Sequence, residues 1–467
     1  MYLSRHKYIP ILFPITFLFS LLGKDQNERL SVHKEASTIS EFALTTDWPR
    51  YNGPSDDASS PETKLLKDWG NKGPTLLWES KKGEGYASPA ISKGILILFY
   101  REEGMEKIEG LNAENGQRRW IYQYPVTYKD RYGYSNGPRA SPVIEGNYVF
   151  CHGVTSWLTC LDLNTGKLIW NRDLRKEFEI PDYFFGKGSN PILYQKFLIV
   201  NVGGSKNRCV VGFNKKTGKT EWITKDSWGA SYSSPVITKL HDTNVCLVFT
   251  GGESRPPEGG LLVIRPENGE KLSRFSWRSS RYESANAVPP IPLGDNRVFL
   301  SECYEKGSTV LQFKKDFSPS IIWTDKNINI HWMTPVLKEG TMYGIAGRHQ
   351  QGAEAFSLDP FSGKVHWKEP IFWDETINGR KTRIGLFRGA ILKLEDGFIC
   401  LSELGSLLKI DFSRKGWEIQ NKAQLFFAPG TWTLPAVSNG LLYVMQNETD
   451  RLTGKQPRIL CFDLRAK

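Results

Sequence analysis

None of the seven cysteines in this 467-residue chain stands in Cys-x-x-Cys spacing, which argues against a zinc site and against thioredoxin-type exchange. No Lys/Arg run is long enough for a nucleic-acid arm. The net charge of +11, from 61 basic and 50 acidic residues, therefore reads as a basic surface spread along the chain, with no nucleic-acid partner implied. No Ser-His-Asp set, phosphate loop or metal-binding pair appears. Nor does any apolar run reach the roughly 20 residues of a spanning helix. The longest, YIPILFPITFLFSLLG, has 16 residues and follows Arg5, His6 and Lys7. A positive region ahead of an apolar stretch of that size is the pattern of a secretory signal. The expected division is a signal peptide over 1–23, a polar linker over 24–46 and one domain over 47–467. An uncleaved anchor is the alternative. In either case the domain is periplasmic or extracellular, with no transmembrane segment left after signal removal. Cys151 and Cys160 flank the hairpin CHGVTSWLTC. In an exported chain they read either as a disulfide or as two small buried residues.

What is present is repetition. GLNAENGQRRW, CLDLNTGKLIW, GFNKKTGKTEW and SLDPFSGKVHW share a turn glycine followed four residues later by tryptophan. A second phrase, a small or polar residue before Pro and two apolar residues, recurs as ASPAI, ASPVI, SNPIL, SSPVI, MTPVL and TLPAV. With looser copies it marks eight positions: Pro89, Pro142, Pro191, Pro235, Pro289, Pro335, Gly389 and Pro435. Each period holds short β-branched and aromatic runs separated by turn residues. Four strands in 44 to 54 residues is the signature of a propeller blade. The last period stops one strand short, while PTLLWES supplies an orphan strand near the N-terminus. Pairing the two closes the ring and hides both edges. The expected fold is all-β, an eight-bladed propeller of four-stranded antiparallel blades with the last blade completed by an N-terminal strand. Trp78, Trp120, Trp170, Trp222, Trp277, Trp323 and Trp367 are expected to wedge between blades.

The LDLNTGKLIW element, the ASPV phrases and the segment DWPRYNGPSDDASSPE resemble the pyrroloquinoline quinone (PQQ) repeat family over roughly residues 47 to 467. The resemblance implies an eight-bladed propeller whose tryptophans dock adjacent blades. That family holds quinoprotein alcohol dehydrogenases and also non-enzymatic members such as outer-membrane protein assembly factor B. The enzymes use an adjacent Cys–Cys disulfide, a Ca²⁺ held by Glu and Asn, and an Asp base. This sequence has no Cys-Cys pair and no Cys-x-x-Cys-His, so it sides with the non-enzymatic, assembly-factor-like members. No cofactor or metal is assigned, and PQQ with Ca²⁺ is kept as the alternative.

The segments leading into the Pro phrases should cluster around one end of the channel. Tyr86, Arg139, Tyr232, Asn286, His331, Trp332, Arg388 and Trp432 are the residues they place there. With Arg131, Arg281 and Arg383 they would make a basic, aromatic mouth suited to a protein partner or to an anionic or hydroxylated ligand. The competing reading is that these side chains simply plug the channel. The function expected is a binding or assembly scaffold acting through the mouth. A quinoprotein-like oxidoreductase is the runner-up, and a sugar-processing enzyme would need paired carboxylates facing the channel. Catalytic residues and oligomeric state are left open.

Overall fold

The computed structural model describes residues 29–70 and 72–466, so the expected signal segment lies outside the described residues. The chain forms eight antiparallel sheets around a central axis. Blade 1 runs from an inner strand Ala90–Ser92 to an outer strand Arg118–Pro125, and blade 2 from Val143–Glu145 to Leu168–Asp173. Blades 3 and 4 start at Ile192–Tyr194 and Val236–Leu240, blades 5 and 6 at Ile291–Gly294 and Val336–Lys338, and blade 7 at Ala390–Leu394. Blade 8 takes Ala436–Ser438, Leu441–Gln446 and Arg458–Asp463 from the C-terminal end, and Thr75–Lys81 from the N-terminal end. The two ends pair from Thr75 against Asp463 to Lys81 against Arg458, which closes the ring. A fifth strand, Leu30–Val32, continues this sheet outward against Trp78–Ser80. Part of the segment expected as a linker is thus a bonded edge of blade 8. One hairpin, Phe372–Ile377 with Arg380–Gly385, stands apart from the blades, between blades 6 and 7.

Neighbouring blades share no ladder, so side chains hold them together. Trp78, Trp120, Trp170, Trp323 and Trp367 each donate their indole N–H to a carbonyl of the following blade, Ala113, Leu163, Lys215, Pro360 and Ser413 respectively. The turn glycine of that blade lies flat on the rings of Trp78, Trp120, Trp170 and Trp323, though not on that of Trp367. Gly166 sits at φ +66 and a Cβ there would meet the Trp120 ring at 2.5 Å, so both conformation and contact require glycine. Trp222 lies against Gly269 in the same way, but its N–H has no partner. Trp277 differs from the others. Ser273, opposite Val263, holds the position four residues after the turn glycine. Trp277 instead packs beyond the strand end, among Val298, Leu300 and Leu311 of blade 5.

The register also decides the cysteine question. Cys151 faces Thr159 and Cys160 faces Phe150, an offset of one residue, so the two side chains leave opposite faces of the sheet. They pack in different cores and are free thiols; the disulfide reading falls.

The channel is filled by a segment the repeats do not include. Residues 47–66 cross it and bond to the inner strands of several blades. Trp48 exchanges backbone hydrogen bonds with Ile91, and Ile144 N donates to Pro49 O. Ser60 N donates to Lys393 O, and Lys393 N to Ala58 O. Thr334 Oγ1 donates to Asn52 Oδ1 at 3.1 Å. The Glu62 carboxylate accepts from the backbone N–H groups of Asn439 and Gly440 at 2.7 and 2.8 Å. This segment ties several blades together across the ring, and its Tyr51 reaches the cavity at the mouth.

One blade interface carries a titratable group. Glu106 of blade 1 is fully buried and accepts from Tyr124 Oη at 2.6 Å and from Val154 N of blade 2 at 2.9 Å. Burial pushes its carboxyl up from 4.5 to about 7. The folded chain therefore holds a proton that the unfolded chain has lost, and stability falls as pH rises from 4.5 through about 7. Glu106→Gln should remove this slope, changing the stability difference between about pH 5 and about pH 8 by roughly 1–3 kcal/mol in urea titrations.

Candidate functional site

Antiparallel order fixes which loops share a face. The connection from each outer strand to the next inner strand emerges at the same end as the hairpin between a blade's second and third strands. The glycine turns beneath the tryptophans emerge at the other end. At the first end the structure holds a cavity of about 460 Å³, within the range of small-ligand sites.

Seven of the eight residues expected at the mouth line this cavity: Tyr86, Arg139, Tyr232, His331, Trp332, Arg388 and Trp432. Asn286 does not; it is buried, and its carbonyl accepts from Tyr232 N. The reason is a one-residue phase error in blade 5. In the other blades the inner strand begins immediately after the phrase's Pro or Gly, but here it begins at Ile291, so Pro290 and not Pro289 holds the repeat position. The residue three before Pro290 is Ala287, which does line the cavity. Of the further arginines expected at this face, Arg281 is held by Glu283 and Glu305, and Arg383 lies on the separate hairpin over Phe372.

The charged groups behind the mouth neutralise one another. Arg139 pairs with buried Asp130 at 2.6 Å. Arg388 pairs with Glu403, and Trp432 Nε1 donates to the same carboxylate at 2.9 Å. The Arg388 guanidinium lies between two indoles, 4.9 Å from the Trp332 ring centre and 5.0 Å from that of Trp432. Tyr232 donates to Glu253 at 2.7 Å; burial raises that carboxyl above its usual range. His331 packs 4.1 Å from Trp332, with its Nε2 3.3 Å from Tyr304 Oη. Burial, with the charges of Arg388 and Arg348, pushes its pKa down to about 3. The ring is therefore held neutral near pH 7.

Several lining residues were not identified from the sequence. Tyr304, Arg348 and His349 come from second-to-third-strand hairpins of blades 5 and 6, which the antiparallel alternation brings to this face although no repeated phrase marks them. Phe184 and Phe185 come from the connection between blades 2 and 3, and Tyr51 comes from the segment crossing the channel.

The resemblance raises the question of a calcium-bound quinone. Calcium needs six to eight converging oxygens. Among the described residues no group of three His, Cys, Asp or Glu side chains is placed to hold a metal ion. At the mouth, Asp130 and Glu403 are engaged by their arginines. Cys303, beside Tyr304, has no cysteine neighbour in sequence. The residues present do not fit that group.

Comparison with known proteins places these features. The curated outer membrane protein assembly factor BamB of Yersinia pestis is 25% identical over 244 residues, 49% of this chain and 56% of that protein. The match thus spans little more than half of its length. Among solved structures, the quinohemoprotein alcohol dehydrogenase of Comamonas testosteroni matches with a TM-score of 0.57 at 13% identity, covering 90% of this chain and 81% of the other. BamB of Moraxella catarrhalis matches with a TM-score of 0.51 at 11% identity, covering 84% and 98%. At such identities these two report the shared fold. The family model described as outer membrane protein assembly factor BamB matches residues 104–369, more than half of the sequence, and with its eight blades and repeated turns the chain belongs to this family of PQQ-repeat propellers.

Proposed function

We propose that the protein is an exported binding propeller, an assembly or capture scaffold that engages a partner or ligand through the mouth cavity. One observation carries this reading: Arg139, Arg388 and Tyr232 are tied to carboxylates behind the wall. Aromatic faces are left as the surface offered to a ligand. Such a wall supplies stacking and apolar contact. The position of the chain outside the cytoplasm rests on the N-terminal pattern and on the family. No helix among the described residues is long and apolar enough to cross a membrane.

The test is a titration of the purified chain with PQQ and Ca²⁺, following quinone absorbance and dye-linked oxidation of simple alcohols. The expected result is neither saturable binding nor turnover at high micromolar quinone. Saturable, calcium-dependent binding with turnover would replace this reading with the oxidoreductase one.

A further inference from the structure

The mouth carries cations beyond the two that are neutralised. Arg348 lines the cavity and lies over the Tyr304 ring at 4.3 Å. Arg131 lies over Phe184, which also lines the cavity, at 5.3 Å. Arg255 lies over Tyr282 at 4.4 Å, and Tyr282 packs edge-on against Phe184 at 5.3 Å. Among the described residues none of these three guanidinium groups forms an ion pair. Glu283, which lines the cavity, and Glu305 are bonded to Arg281 and also feel the charge of Arg348, without a contact to it close enough for an ion pair. Each of the three is capped on one face by a ring. With no ion pair to engage them among the described residues, their N–H groups remain donors, in the planar fork that matches a carboxylate.

The acceptors tell which polyanion fits. A hydroxyl-rich chain needs carboxylates and amides to accept from its hydroxyl groups. Here Asp130, Glu253 and Glu403 already accept from Arg139, Tyr232, Arg388 and Trp432. What the mouth offers is bidentate donors at the rim and an apolar, ring-lined cavity of about 460 Å³, room for a few side chains. We propose that this mouth captures an acidic peptide segment of a partner protein, its carboxylates on Arg131, Arg255 and Arg348 and an aromatic or aliphatic anchor in the cavity against Trp332, Trp432 and Phe185. The proposal rests on the binding reading above and names its partner. The excess of basic over acidic residues adds a general attraction that steers such a segment inward.

The experiment uses the full chain and three labelled probes read by fluorescence anisotropy: the peptide Glu-Asp-Phe-Asp-Glu-Leu, its Gln-Asn-Phe-Asn-Gln-Leu counterpart, and an oligogalacturonate. The acidic peptide is expected to bind, more weakly as salt rises, and the amide peptide to bind at least tenfold less. Arg348→Gln should weaken the acidic peptide about tenfold, the scale of one charge-assisted hydrogen bond. Arg131→Gln, at an exposed position that does not threaten folding, should do the same. Lys216→Gln, on a glycine turn at the opposite end, should change nothing. Equal binding of the amide peptide would overturn the proposal, as would tighter binding of the oligogalacturonate, an effect of Lys216→Gln equal to that of Arg131→Gln, or no binding of any probe. The binding reading itself falls separately, on quinone turnover.

Discussion

Trp120→Ala is expected to lower the stability of the whole ring by about 3–5 kcal/mol, the usual cost of removing a buried indole. The size follows from what the side chain does. Blades 1 and 2 share no strand ladder, and Trp120 fills the gap between them at 8% exposure. Its ring is held between Gly110 of its own sheet and Gly166 of the next, where added Cβ atoms would come within 2.3 and 2.5 Å of it. Its N–H donates to Leu163 O at 2.9 Å, so truncation also orphans a buried carbonyl. Trp120→Phe keeps part of the packing and loses the hydrogen bond, and should cost less. Urea unfolding followed by far-ultraviolet circular dichroism measures both. A loss below about 1 kcal/mol, the range of ordinary surface changes, would show that the blades stand without their indoles.

Glu403→Ala is expected to cost about 2–4 kcal/mol and to loosen the mouth. Removing one partner of a buried pair leaves the other uncompensated, at about 3–5 kcal/mol for full burial. The Arg388 side chain keeps 17% exposure against 3% for that of Glu403, so cavity water screens part of the loss. Arg388 loses its backbone and guanidinium acceptor, and Trp432 loses the acceptor of its indole N–H. The Trp332–Trp432 pair, 5.0 Å apart, should then lose its fixed geometry. Near-ultraviolet circular dichroism reads this change. Glu403→Gln, which still accepts from Trp432 but leaves Arg388 unneutralised, should fall between. Unchanged unfolding and an unchanged near-ultraviolet spectrum in Glu403→Ala would mean that the wall is held by ring packing alone.

The sites where sequence reasoning stopped have separate physical causes. Asn286 was assigned through Pro289, because two prolines stand together and only the inner strand's start at Ile291 shows which one keeps the phase. A slip of one residue turns a side chain from the cavity to the interior. Trp277, expected as a wedge, does pack between blades 4 and 5, but from beyond the strand end, since the register gives Ser273 the position four residues after the turn glycine. Arg348, His349 and Tyr304 sit in hairpins of no common sequence, since a loop at the mouth need satisfy no neighbouring blade and so has no reason to repeat. The role of residues 47–66 as a tie across the ring was hidden for the opposite reason. Their partners, from Ile91 to Gly440, lie hundreds of residues apart in the chain.

The sequence by itself determined the architecture: the number of blades, the turn glycines, and the strand near the N-terminus that completes the last blade. Each of these is a local demand, a turn conformation or an alternation of buried residues, made again in every period, so it leaves a periodic trace. It also placed most of the mouth, because the residues ahead of each inner strand must point toward the axis. Only the tertiary structure decided which mouth charges are spent and which are free. That Arg139 and Arg388 are ion-paired while Arg131, Arg255 and Arg348 form no ion pair among the described residues depends on which carboxylates arrive from other loops. Ion pairing is a matter of a few ångströms between segments that no sequence period relates.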